Sequence, residues 1–121
     1  MAKDDYDVIV YRVLVYLYGC LKREIMFEDV TFQAAVRKDV ISETYFAEVL
    51  EMMQGERLIK GLTFSRAWGG DVILASDIKE AKITAEGVRY LKENNRMKVV
   101  GDSLKEAVDI IAKLASILMI V

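Results

Sequence analysis

One thiol, no imidazole and a scatter of carboxylates are what this chain offers for covalent or acid–base chemistry. Cys20 lies near the end of an apolar run, Val13–Leu21, and the absence of histidine leaves it no imidazole to draw off its proton. It reads as a core thiol rather than a nucleophile. Histidine-based triads, imidazole shuttles and His-ligated zinc are excluded outright. Asp4, Asp5 and Asp7 and the set Glu43, Glu48 and Glu51 fall at the spacings of solvated helix faces. No Asp-x-Asp-x-Asp-Gly calcium loop is present. Gly69-Gly70 lacks the following Gly-Lys-Ser/Thr of a phosphate loop. The residues predict no catalysis, no cofactor, no metal and no small-molecule substrate.

Binding chemistry is better represented. Arg57 to Arg66 holds Arg57, Lys60 and Arg66 with no acid, and Arg37 and Lys38 add two cations just upstream. Trp68 stands beside Gly69-Gly70, where a turn would place it at a tip able to stack on a base or a partner. Arg37, Lys38, Lys60, Arg66 and Trp68 are therefore the candidate nucleic-acid contacts. Arg89, Lys92 and Arg96 also line up, but Glu86 and Glu93 lie at pairing distance from Arg89. That line reads as a salt-bridged surface.

These residues need elements to hold them. The spacing of Tyr6, Ile9, Val10, Val13, Leu14 and Leu17 predicts a helix over about 5–22. Val8, Tyr11, Val15 and Tyr18 make a second apolar stripe on it, so the helix must be covered on two sides. A second helix is expected over about 31–38. Ser42 is a good N-cap for a third, which should stop at a left-handed Gly55. Leu58–Phe64 reads as one strand, Trp68–Asp71 as a turn, and Asp71–Leu74 as extended chain again. Thr84 should cap a fourth helix to about Asn94, with Asn94-Asn95 as its stop. Ser103-Leu104-Lys105-Glu106 has the capping-box pattern of a last helix, about 103–121. Along it Leu104, Ala107, Ile111, Leu114, Leu118 and Val121 repeat by threes and fours, as in a helix–helix seam.

Helix, hairpin, helix is how a winged-helix domain ends. The expected fold is mainly α with a small antiparallel β-hairpin: a winged helix-turn-helix plus a C-terminal helix. A chain of 121 residues without linker or repeat is expected to form one domain, 1–121. Its 54% hydrophobic content is high for that size. No apolar run reaches the ~20 residues of a membrane span. Lys3-Asp4-Asp5 is unlike a secretory signal, so a cytoplasmic protein is expected. The surplus apolar residues suggest a homo-oligomer. Its candidate interface is Val8, Tyr11, Val15 and Tyr18 on the first helix with Leu104, Ile111, Leu114 and Leu118 on the last, which pack together within one chain or across a dimer.

Glu56-Arg57-Leu58-Ile59-Lys60-Gly61 after a capped helix looks like the entry to a wing. Together with Ile83-Thr84-Ala85-Glu86-Gly87 and Tyr90-Leu91-Lys92-Glu93-Asn94, it resembles the YjcQ-like family of small bacterial and prophage proteins. The resemblance covers most of the chain. It implies a winged-helix fold and phage or bacterial origin, and no activity or catalytic residue. The apolar end Ile117-Leu118-Met119-Ile120-Val121 departs from the family pattern.

Two functions follow from this reading. One is a DNA-associated regulator, touching duplex DNA backbone through the wing and the end of the second helix. The other is a protein-interaction or dimerisation module with the same fold and no DNA role. Against the first, Ser42 to Glu56 carries four glutamates and no lysine or arginine. A helix of that charge is repelled by phosphates.

Overall fold

In this computed structural model residues 6–104 are described. Helix α1 (Tyr6–Leu21) is the axis of the fold. It touches the helices α2 (Asp29–Val36), α3 (Glu43–Gly55), α4 (Ala85–Glu93) and α5 (Asn95–Ser103), and the strand β4 (Lys82–Ile83). Its two apolar stripes explain that position. Ile9, Val10, Val13, Leu14 and Tyr16 are completely enclosed, and Val8 and Tyr11 on the second stripe are buried as well. A helix apolar all round belongs in a core, not on a surface.

Caps set the helix borders where the sequence carries them. The Ser42 hydroxyl accepts from the Tyr45 N–H, and the Thr84 hydroxyl accepts from the Gly87 N–H. Four local details differ from expectation. α2 ends at Val36 because Arg37 turns left-handed (φ 57°), and Lys38–Val40 form a separate 3-10 turn. α3 does stop at Gly55, but the left-handed residue is Arg57 (φ 64°), two positions later. Asn94, read as a stop signal, does end α4 and also caps α5: its carboxamide oxygen accepts from the N–H groups of Arg96 and Met97. Asparagine serves a chain reversal and an N-cap equally well, so one residue ends α4 and starts α5. Ser103, read as the N-cap of the last helix, is the closing residue of α5. The expected helix beyond it lies outside the described residues.

The hairpin is broken where one strand was expected. β1 (Ile59–Lys60) pairs antiparallel with β4, and β2 (Phe64–Arg66) pairs antiparallel with β3 (Val72–Leu74). Gly61 (φ 96°) makes the break, with the Glu80 carbonyl pressed against its Cα where no side chain would fit. The backbone of Leu62, lost to the ladder, bonds instead to the Gln54 side chain, which accepts from its N–H (3.0 Å) and donates to its C=O (2.9 Å). α3 thereby holds the hairpin. The turn Ala67–Gly70 between β2 and β3 is closed by two left-handed glycines, Gly69 and Gly70. The molecule is mostly helical with a small antiparallel sheet and a closing helix α5, a winged-helix-like layout in which β2–β3 is the wing.

Candidate interaction groove

Aromatic packing joins α1, α2 and α3. Tyr16, Phe27 and Phe32 stack within 5.1–5.5 Å between centroids, and Phe46 of α3 meets Phe32 at 6.1 Å. The buried Tyr16 hydroxyl accepts from the Glu28 N–H (3.1 Å) and donates to the Glu28 C=O (3.3 Å), which locks the residue preceding α2. Burial pushes the Tyr16 phenol up, so it stays a donor. With α2 and α3 so placed, a groove of about 350 Å³ opens between them and the wing strand β3. Its floor is apolar: Phe32, Phe46, Leu50, Val72, Leu74 and Ile78. Asp29, Lys38 and Glu43 stand among its polar lining residues.

The structure places the candidate DNA contacts as follows. Arg66 on β2 reaches back to α3, its guanidinium 3.1 and 3.3 Å from the two Glu51 oxygens. Arg37 is engaged by Asp39 at 3.3 Å, and Lys38 lies 3.6 Å from Glu43 and over the Phe46 ring. Lys60 is exposed on β1. Trp68 is wholly exposed at the wing tip, 103% of its reference area. Three of the four cations are therefore matched, each to a neighbouring carboxylate. The outward face of α3 adds Glu48, Tyr45 and Met52, the last 50% exposed. It is acidic and partly apolar.

The candidate interface residues divide. Val8 and Tyr11 belong to the core of this chain, and Gly101 of α5 lies directly against the Tyr11 ring. Val15 and Tyr18 are half-buried, with the ammonium groups of Lys22 and Lys92 at 4.4 and 5.2 Å from the Tyr18 ring. Leu104 packs against the core. Ile111, Leu114 and Leu118 lie outside the described residues.

Two features bear on chemistry. Burial pushes the Cys20 thiol up to about 11, with Lys82 and Arg23 offsetting only part of the effect. At pH 8 its alkylation by iodoacetamide should be about a hundred-fold slower than that of an ordinary thiol, because only the thiolate reacts. Labelling at the free-thiol rate would contradict that environment. The second feature is one that hydrophobic patterning hides. Arg12, inside the apolar run of α1, is buried, and its Nε and Nη1 have no hydrogen-bond partner among the described residues. Burial lowers its pKa, nearby Arg37 adds to that, and Asp39 opposes it. Among the described residues no group of histidine, cysteine and carboxylate side chains could hold a metal ion, and no helix is long and apolar enough to cross a membrane.

No curated protein and no solved structure matches the chain. A family model does: the one described as YjcQ protein matches residues 11–110. That span takes in α1 from Tyr11, the groove, the wing and α5, and with it most of the sequence. The chain belongs to the YjcQ family.

Proposed function

We propose that this chain is a small, non-enzymatic, phage-type protein-interaction module that takes a partner into the groove between α2, α3 and the wing. The observation that carries this reading is the state of its cations. Arg66, Arg37 and Lys38 each face a carboxylate within 3.6 Å, and the groove that the Lys38–Glu43 pair lines has an apolar floor. Exposed pairs of this kind are worth only about 0–1 kcal/mol, so a phosphate could displace the acid from the cation. The acid would remain beside the phosphate and repel it. A duplex reader needs several unneutralised cations in register with the backbone, since phosphate neutralisation supplies most of its affinity. An apolar groove lined by a few polar groups fits a protein segment better.

The competing reading is DNA contact through the wing, and the exposed Trp68 and Lys60 favour it. A titration with labelled duplex DNA separates the two. At about 50 mM salt we expect no saturable change in anisotropy. Binding that weakens linearly on a log–log salt plot, and whose slope falls by about one phosphate in Arg66→Ala, would establish the DNA role instead.

A further inference from the structure

A second set of cations lies away from the groove and the wing, and carboxylates do not match it in the same way. The β1–β4 ladder sets Lys60 directly opposite Lys82. Both are exposed, because their neighbours Ile59 and Ile83 take the buried face of the ladder. Like charges directly opposite each other in a ladder repel. β4 packs against α1, and the set continues at the end of that helix. The Arg23 guanidinium donates to the Cys20 carbonyl (3.1 Å). Lys82 and Arg23 both offset the burial that pushes the Cys20 thiol up, so both lie near it. The ammonium groups of Lys22 and Lys92 share the Tyr18 ring. Lys92, by a hydrogen bond and by its charge, and then Lys22 hold the Tyr18 phenol below its ordinary range.

Lys22, Arg23, Lys60, Lys82 and Lys92 thus meet where the end of α1, the β1–β4 ladder and α4 come together. Among the described residues one carboxylate bonds to one of them, Glu24 to Lys22 at 2.6 Å. Glu80 and Glu93, close to Lys82 and Lys92 in the chain, make no ion pair with any of the five. In a chain of net charge −2 this corner is a local excess of positive charge. Apolar surface lies among the charges. Tyr18 and Leu21, the latter 51% exposed, share a face of α1 with Lys22.

We infer that this corner docks an acidic, leucine-bearing segment of a partner protein, at a site separate from the groove. None of its five cations lines the groove or lies on the wing, so the site stands whatever the groove holds. Charge complementarity names the occupant. A carboxylate between Lys60 and Lys82 relieves a repulsion that the folded chain otherwise carries. Lys22 and Lys92 already rest on one ring, so they lose little freedom when an anion binds. A protein segment fits better than a nucleic acid for two reasons. The Tyr18 ring is occupied by ammonium groups rather than free to stack on a base, while Leu21 offers an apolar contact that phosphates do not use. A phosphate backbone also continues past four unmatched cations, and Glu24, Glu80 and Glu93 stand beside them in the chain to repel it.

Three probes are titrated into the isotope-labelled full chain: a peptide of six glutamates around two leucines, its glutamine counterpart, and a single-stranded oligothymidylate of equal charge. The glutamate peptide should shift the Lys60, Lys82 and Lys92 amides and the Tyr18 ring resonances, and bind more weakly as salt rises from about 50 to 300 mM. The glutamine peptide should bind at least about ten-fold more weakly. Lys82→Glu and Lys92→Glu, from the two halves of the corner, should each weaken the glutamate peptide at least about ten-fold. Lys82→Glu gives Lys60 an opposite charge across the ladder, so its urea midpoint should not fall and lost binding is not lost folding. Lys98→Glu, on the exposed surface of α5, makes the same change in net charge and should leave binding as it was. Equal weakening by Lys98→Glu means that net charge alone acts, and overturns the site. Weakening by only one of the other two variants overturns the continuous patch. Tighter binding of the oligothymidylate makes the occupant a nucleic acid and overturns the protein partner. No shift from any probe at millimolar concentration overturns the inference. The Leu50 methyls report the groove separately, so either reading can fail without the other.

Discussion

Gly87→Ala is expected to destabilise the domain by about 3 kcal/mol, although alanine is the better helix former. Gly87 lies in the first turn of α4, where propensity alone would favour alanine by about 1 kcal/mol. Packing decides the other way. A Cβ at this position would press into the Leu58 carbonyl and come within 2.8 Å of Ile83 Cγ1. Neither neighbour can yield cheaply. The Leu58 carbonyl already accepts from the Thr84 N–H and hydroxyl (3.1 Å each), and the same hydroxyl caps α4 at Gly87 (2.9 Å). Helix start, cap and β1 exit are one knot, and overpacking there costs about 1–3 kcal/mol before the cap bonds are lost. Gly55→Ala is the control. It ends α3 without a left-handed φ, and nothing lies within 4 Å of the added Cβ. It should stabilise by about 0.5–1 kcal/mol. Urea midpoints at unchanged slope measure both. A Gly87→Ala protein as stable as wild type would remove the close-approach argument.

Phe32→Ala should cost about 3–5 kcal/mol, the range for deleting a buried aromatic ring. Phe32 is 1% exposed and is the ring through which α1, α2 and α3 meet. Deleting it leaves a cavity between Tyr16, Phe27 and Phe46 that the rigidly placed helices cannot close. It also removes part of the groove floor. Tyr16→Phe separates polar from apolar contributions. It keeps the ring and leaves the Glu28 N–H and C=O without their partner, for about 1–2 kcal/mol. Thermal unfolding gives both values. A loss below about 1 kcal/mol for Phe32→Ala would mean that the aromatic cluster does not join the three helices.

Much of the fold was legible in short stretches. Ser42 and Thr84 announced their helices because an N-cap bond spans only three residues. The Gly69-Gly70 turn was legible because left-handed backbone nearly requires glycine. The two stripes of α1 correctly required two covers. Local signals with two meanings were legible for only one of them. Asn94 ends one helix and caps the next, and Ser103 opens a capping-box pattern yet closes α5. Arg37 and Arg57 take left-handed conformations that no side-chain preference announces. The break in the hairpin was hidden because its cause, the Glu80 carbonyl against Gly61, comes from nineteen residues away.

The site was less legible than the fold. Residue types placed cations on the wing and acids on α3, and nothing more. That Arg66 is held by Glu51, fifteen positions earlier, depends on how the wing folds back over α3. Arg12 was invisible because one charge in an apolar run does not change its periodicity.

By itself the sequence determined the class of the fold, the caps and turns, and the exclusion of histidine chemistry. Each rests on residue identity or on interactions a few residues long. Only the tertiary structure decided which cations are neutralised, that α5 rather than a partner chain lies against Tyr11, and that α2, α3 and β3 line one apolar groove. Those depend on contacts between segments far apart in the chain, and their free energies arise only once α1 is enclosed and every other element is packed in place around it.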